Sequence, residues 1–166
     1  MTHICIYGQT LSGKSTLAKK LATEYKNQGI GVLVFDPVND NSWTCDFKTN
    51  NFKEFLEYYW KSESCMVFID EAGDVCGQYS DDAIRTATKG RHRGHLNHYI
   101  SQRARLISPT IRDQCSRMFL FNSGYKDCQT HAEEWNAPEL KDGTALKQGE
   151  FFHVERMGDV TKNRLF

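Results

Sequence analysis

One octapeptide constrains this chain more than any other feature. Gly8-Gln9-Thr10-Leu11-Ser12-Gly13-Lys14-Ser15 satisfies the pattern G-x-x-x-x-G-K-[ST] at every position. The apolar run His3-Ile4-Cys5-Ile6-Tyr7 precedes it. A helical pattern from Lys14 to about Lys26 follows, with Leu17, Ala18, Leu21, Ala22 and Tyr25 on one face. Strand, glycine loop and helix in that order make a cradle for phosphate. The glycines let the loop curl so that backbone N–H groups point inward, and the helix N-terminus adds its positive dipole end. Residues Gly8 to Ser15, with Thr16 next on the helix, are therefore the expected binding set for ATP. Lys14 supplies a point charge to the β- and γ-phosphates, and the Ser15 hydroxyl is placed to ligate Mg2+.

The rest of the chain alternates strand and helix signals. Asn27-Gln28-Gly29 ends the first helix, and Gly31 to Phe35 is a continuous apolar strand closed by Asp36-Pro37. Residues 38–50 read as a polar loop. Phe52 to Trp60 reads as a helix with Phe52, Phe55, Leu56 and Tyr59 inward. Cys65 to Ile69 is the third strand, followed by a linker with Gly73 and Gly77, a helix from Asp81 to Lys89 and a fourth strand from Asn97 to Ser101. Ser108-Pro109 opens a short helix, Arg117 to Phe121 is a fifth strand, and Tyr125 to Trp135 is helical. Phe151 to Glu155 and Val160 to Phe166 form a terminal hairpin across Gly158-Asp159. The pattern predicts one α/β domain over 1–166, with a mainly parallel central sheet flanked by helices and a C-terminal β-hairpin.

The third strand runs into Asp70-Glu71. In a parallel sheet, ligands sit beyond the carboxyl ends of the strands. Asp70 is placed near the Mg2+, and Glu71 on the γ-phosphate side, where it would polarise an attacking water as general base. The fourth strand runs into Gln102, whose neutral amide either bonds the attacking water or the γ-phosphate or is a surface residue. Arg91 and Arg93 lie between these two strands and are candidates for an arginine inserted into a neighbour's site; Arg103, Arg105, Arg112 and Arg117 share that candidacy on spacing alone. His92, His95 and His98 lack a completing cysteine at a familiar zinc spacing and read as histidines of a basic surface.

Charge balances overall, with 21 Lys+Arg against 21 Asp+Glu, yet the span Arg85 to Arg117 carries eight basic residues and one acid. That span suits an anionic partner or is a solvated face paired against acids elsewhere. At 39% hydrophobic and 25% charged the composition is that of a globular protein and excludes collagen-like, disordered and disulfide-scaffold classes. The most apolar stretches, such as Cys65 to Ile69, fall far short of the roughly 20 residues of a membrane span. No signal peptide is visible, so the expected location is cytoplasmic: host cytoplasm, or virion for a viral protein. None of the six cysteines stands at C-x-x-C spacing, and all are expected to be free, with Cys5 and Cys65 buried.

Four blocks in order resemble the HerA–FtsK superfamily of P-loop ATPases: the Walker A loop Gly8 to Ser15, the strand ending Phe35-Asp36-Pro37, the Walker B run ending Asp70-Glu71, and Arg91-His92-Arg93-Gly94 through Ile100-Ser101-Gln102-Arg103 to Ile111-Arg112. Within it, the compact size is similar to viral and phage genome-packaging ATPases, and the His-Arg-Gly stretch to Zot-like proteins. The resemblance implies a RecA-like (ASCE) core and a homo-oligomeric, hexameric ring. It implies a sensor glutamine at Gln102, a trans arginine at Arg91 or Arg93, double-stranded DNA as the translocated polymer, and capsid or other packaging proteins as partners.

Two other functions fit parts of the sequence. Val67 to Gly73 looks a little like the corresponding segment of type II thymidine kinases, which implies a nucleoside kinase, although their zinc ribbon has no counterpart here. A nucleotide-holding assembly switch is the other, and Glu71 argues against it.

Overall fold

A computed structural model describes residues 2–166. The chain builds β1 (His3–Tyr7), α1 (Lys14–Asn27), β2 (Gly31–Phe35), β3 (Phe47–Thr49), α2 (Phe52–Lys61) and β4 (Cys65–Ile69). It continues through α3 (Ala72–Val75), α4 (Asp81–Lys89), β5 (Leu96–Ser101), α5 (Pro109–Asp113), β6 (Cys115–Leu120), α6 (Tyr125–Glu134), β7 (Glu150–Glu155) and β8 (Val160–Arg164). All eight strands form one sheet in the order β3-β2-β4-β5-β1-β6-β7-β8. The pairs from β3 to β6 are parallel. The hairpin β7–β8 extends the sheet antiparallel beyond β6.

Both faces of the sheet are covered, which is why the strands read as unbroken apolar runs rather than alternating ones. Ile4, Ile6, Val32, Val34, Phe68 and Ile100 pack on one face against Leu17, Ala18 and Ala22 of α1. Cys5, Tyr7, Leu33, Phe35, Val67, Ile69 and Tyr99 point to the other face, against Phe55 and Tyr59 of α2, Ala83 and Ala87 of α4, Ile111 of α5 and Ala132 of α6. The chain steps from β1 out to β2 and β4, returns through β5, and crosses β1 to reach β6. That reversal places a crevice at the carboxyl end of β1.

Besides three 3-10 helices at Gly90–Arg93, Ala104–Leu106 and Pro138–Ala145, one strand and one α-helix fall where the sequence reads as loop. Strand β3 lies inside the expected polar loop, because Phe47-Lys48-Thr49 pairs with the edge of β2 over a stretch too short to show a period. Helix α3 lies in the expected Gly73–Gly77 linker; a single turn is too short to form alone and is held by packing on β5 and the loop after it. The remaining elements occur where expected, with ends shifted by one or two residues: the fifth strand is Cys115–Leu120 rather than Arg117–Phe121. All six cysteines are free, and Cys5 and Cys65 are buried.

The histidines depart from the expected surface placement. His95 and His98 are completely buried, as is His3; only His92 of the neighbouring trio is exposed. Their rings are bonded as neutral imidazoles. His3 accepts from the Asn97 N–H at 3.0 Å and donates to the Ala87 carbonyl at 3.0 Å. His95 accepts from the Cys65 N–H at 3.1 Å and donates to the Tyr59 carbonyl at 2.9 Å. His98 donates to the Val67 carbonyl at 3.0 Å and meets the Tyr25 hydroxyl at 3.3 Å. A second ring proton on His3 or His95 would collide with a backbone N–H. The basic neighbours hid this: His98 lies on β5, which is buried along its whole length, and His95 packs against Tyr59 just before that strand.

Burial lowers His3 from 6.5 to about 4, His98 from 6.5 to about 3 and His131 from 6.5 to about 4. The unfolded chain therefore takes up protons that the folded chain refuses. Stability from these rings is full above about pH 7 and falls as pH drops through 6.5 toward 4, by up to ~4 kcal/mol per pH unit for three such sites. Asp70 partly offsets this below about pH 6, because its raised carboxyl takes up its proton first in the folded chain. Urea denaturation at pH 7.5, 6.0 and 5.0 tests this; a flat profile over that range would show that these rings protonate freely in the fold.

Candidate nucleotide site

The register of the sheet sets the site. Tyr7 stands opposite Ser101, and Ile69 opposite Tyr99 and Phe35, so the residues that follow each strand emerge on one edge. Gly8 begins the loop there, Asp70-Glu71 follow β4, and Gln102 follows β5. The strand carrying Gln102 lies between the loop strand and the strand carrying the carboxylates.

The loop closes tightly on its own neighbours. A Cβ at Gly8 would stand 2.6 Å from Ser12 Oγ and 2.7 Å from Phe121 Cβ. At Gly13 the backbone is left-handed (φ +119°), and a Cβ would meet the Phe121 ring at 3.0 Å. Both motif glycines are thus required by close approach as well as by backbone conformation. Helix α1 starts at Gly13 with no side chain capping it and no acid in its first turn, so its N-terminal amides are free to face an anion.

Lys14 lies in this loop with its side chain almost fully withdrawn from solvent. Its ammonium donates to the Gln9 carbonyl at 3.4 Å, a long bond for a buried charge. Burial pushes its pKa down, and the Glu71 and Asp70 carboxylates partly oppose this. Asp70 is half-buried, and burial raises its carboxyl to about 6, while its bond from the Glu71 N–H at 2.8 Å works the other way and the nearby Glu71 and Asp36 charges raise it further.

Glu71 adopts the left-handed conformation (φ 49°) at the start of α3, a position that costs a residue with a Cβ about 1 kcal/mol or more. It lines a cleft of about 300 Å³ with Thr10, Leu11, Gly13, Lys14, Ser15, Thr16 and Gln102. Gln102 is exposed and donates from Nε2 to Thr10 Oγ1 at 2.9 Å, which ties the end of β5 to the loop. Of the loop residues, Leu11 points outward, Ser12 and Gly8 are buried within the curl, and Gln9 and Thr10 are exposed on its rim.

Lys14, Glu71 and Gln102 are therefore brought together, with Asp70 immediately behind Glu71. Arg91 and Arg93 are not. They precede the amino end of β5, and the six residues of that strand separate them from Gln102 by about 20 Å at ~3.3 Å per residue. Arg93 donates to the Ser62 carbonyl and lies 3.7 Å from Glu63, whereas Arg91 is exposed. The basic span does not form one patch, because β5 carries the chain from one edge of the sheet to the other. Arg103 pairs with Asp127 at 3.2 Å and Arg112 pairs with Glu134.

Residues far along the sequence also build the site. Gln148 donates from Nε2 to the Leu11 carbonyl at 3.0 Å, the Gly149 N–H donates to the Ser12 carbonyl at 3.0 Å, and the Gln9 N–H donates to the Asn122 carbonyl at 2.8 Å. Phe166 and Gln148 line the same cleft as Lys14. No local signal marks these residues; only sheet pairing brings them to the loop.

Residues 1–102 match the family model of the central domain of helicase HerA. The chain belongs to the HerA family. HerA membership joins the loop, the carboxylate strand and the glutamine strand into a single matched unit that ends at Gln102. No curated protein matches the chain by sequence.

Among solved structures, the HerA-family chain resembles the genome packaging NTPase B204 of Sulfolobus turreted icosahedral virus 2 in complex with AMPPCP. The TM-score is 0.83 at 15% identity, over 99% of this chain and 97% of that one. It also resembles VirB4 of Thermoanaerobacter pseudethanolicus, with TM-score 0.76 and 12% identity over 99% and 89%. The N-terminal domain of zonular occludens toxin from Neisseria meningitidis matches with TM-score 0.61 and 16% identity over 100% and 94%. At these identities the likeness establishes the fold alone: a mostly parallel α/β sheet extended by an antiparallel C-terminal hairpin. No helix among the described residues is long and apolar enough to cross a membrane.

Proposed function

We propose that this protein is an ATP-hydrolysing motor that translocates double-stranded DNA, as in packaging a viral genome into a capsid. One observation carries the reading: a desolvated lysine, held by a single long hydrogen bond, faces a carboxylate and an amide across an open cleft. Such a cation is satisfied by a polyphosphate. In the proposed reaction, Lys14 and the α1 amides hold the β- and γ-phosphates. Glu71 takes a proton from water as the water oxygen bonds to the γ-phosphorus. The bond from that phosphorus to the bridging oxygen breaks, and ADP leaves with the electron pair. Gln102 exchanges its bond to Thr10 for one to the γ-phosphate, and so reports whether that phosphate is present.

The donor set fits Mg2+. The Ser15 hydroxyl and the Asp70 carboxylate are hard oxygen ligands, and the charges of Asp70, Glu71 and Asp36 crowd together with one lysine to offset them. Bound there with ATP, the metal supplies charge neutralisation across the outer phosphate oxygens.

Arg91 and Arg93 lie too far from the chain's own site to act in it, which fits service in a neighbour's site within a homo-oligomeric, hexameric ring. Arg91 suits that role better, since Arg93 is already held by Ser62 and Glu63. Likeness to the B204 packaging NTPase supports DNA and capsid proteins as partners, and the same reading has the motor working in host cytoplasm or virion.

The test is steady-state phosphate release from ATP, with and without double-stranded DNA, over a range of protein concentrations. The rate is expected to rise with DNA and more than linearly with protein, and the DNA effect to fade at moderate salt. ADP and free phosphate should be the products. Phosphorylation of a nucleoside would indicate a kinase, and binding without turnover an assembly switch; either overturns the motor.

A further inference from the structure

The cleft has a direction. In the reaction proposed above the outermost phosphate is cut beside Glu71 and Gln102, so the phosphates would run along the loop toward the first turn of α1, and the ribose and base would leave beside Thr16. Thr16, Gln148 and Phe166 also line this cleft, and Gln148 and Phe166 reach it beside the loop at Leu11 and Ser12. Phe166 is the one aromatic residue of that lining, and it is 68% exposed.

The ring is held there by a set of backbone bonds. The Leu165 N–H donates to the Gly149 carbonyl at 2.8 Å, and the Gly149 N–H donates in turn to the Ser12 carbonyl at 3.0 Å. Lys20 reaches the Leu165 carbonyl at 3.5 Å, and Leu165 itself packs within 3.3 Å of where a Cβ at Gly13 would stand. Gly149 is left-handed (φ +84°), and a Cβ on it would come 2.9 Å from Phe166 Cε2 and Cζ, so the ring lies directly on that backbone. The segment that places Phe166 is therefore pinned to the phosphate loop at two residues.

We infer that Phe166 is the wall on which the base of the bound nucleotide stacks, and that the site accepts adenine and guanine with little discrimination. A phenyl ring offers a π-face and no hydrogen-bonding group, and every base has a π-face. Gln148, the neighbouring amide, already spends one Nε2 N–H on the Leu11 carbonyl. This inference rests on the nucleotide reading above and adds the base subsite to it.

Calorimetric titration of the wild type, Phe166→Ala and Phe166→Trp separates the two. Each is titrated with Mg2+ and ATP, GTP or inorganic tripolyphosphate, which has the phosphates and no base. Phe166→Ala is expected to weaken ATP and GTP about tenfold, or ~1.4 kcal/mol, and to leave tripolyphosphate within about twofold. Phe166→Trp is expected to keep both nucleotides, and wild-type ATP and GTP affinities to agree within about fivefold. The stacking role is overturned if Phe166→Ala leaves ATP unchanged, or if it weakens tripolyphosphate as much as ATP, since the ring would then only support the loop. A large preference for one purine would overturn the low selectivity. A wild type that binds neither ATP nor tripolyphosphate removes the nucleotide reading itself.

Discussion

Glu71→Gln is expected to slow phosphate release from ATP by about 10²- to 10⁴-fold, the usual contribution of a positioned general base. Nucleotide affinity should stay within about threefold, because the amide keeps the size and shape of the carboxylate and lacks its basicity. Glutamine also occupies the left-handed backbone position at φ 49° at the same cost as glutamate, so α3 and the folded chain are unaffected. The signature is a kcat loss with binding preserved, measured by single-turnover hydrolysis beside equilibrium titration. An unchanged rate would remove Glu71 from the chemistry and leave Asp70 as the only carboxylate at the end of β4.

Lys14→Ala acts at the opposite step. A hydrogen bond to a charged group is worth ~1.5–3 kcal/mol, so ATP affinity should fall about 10- to 150-fold, with hydrolysis at background. Stability without nucleotide should move the other way or not at all. Burial already disfavours the charged ammonium, whose one hydrogen bond is the long one to Gln9, and alanine removes that desolvated charge. The expected thermal profile is a melting temperature equal to or above wild type without nucleotide, and a smaller rise than wild type on adding the same ATP and Mg2+. A fall in the nucleotide-free melting temperature would mean that Lys14 supports the loop, and that lost activity reports misfolding.

The two variants test different parts of one arrangement, and the arrangement joins residues of very different legibility. Lys14, Ser15 and the glycines could be read because their chemistry is local: a loop of eight residues makes the anion cradle unaided. Asp70, Glu71 and Gln102 could be placed because each follows an apolar strand, and parallel strands deliver their carboxyl ends to one edge. Arg91 and Arg93 could be read as candidates, and the hold of Ser62 and Glu63 on Arg93 could not, since only the fold brings those residues together. His95 and His98 illustrate the same limit. Their neighbours are basic, which suggests a surface, yet His98 lies on the fully buried β5 and His95 packs against Tyr59 just before that strand.

The phosphate loop, the α/β alternation, the acid pair at a strand end and membership of the HerA family can all be read from the amino-acid sequence alone. Each of these rests on residues within a few positions of one another, where bonding geometry and periodicity act directly. The residues that line the cleft opposite the carboxylates followed only from the three-dimensional fold. Gln148, Gly149, Leu165 and Phe166 reach the loop because β7 and β8 add antiparallel to β6, which itself pairs with β1. Contacts between residues 8–16 and 148–166 carry no local pattern. They exist because hydrogen bonding across the sheet, and burial on both its faces, bring distant segments to the same edge.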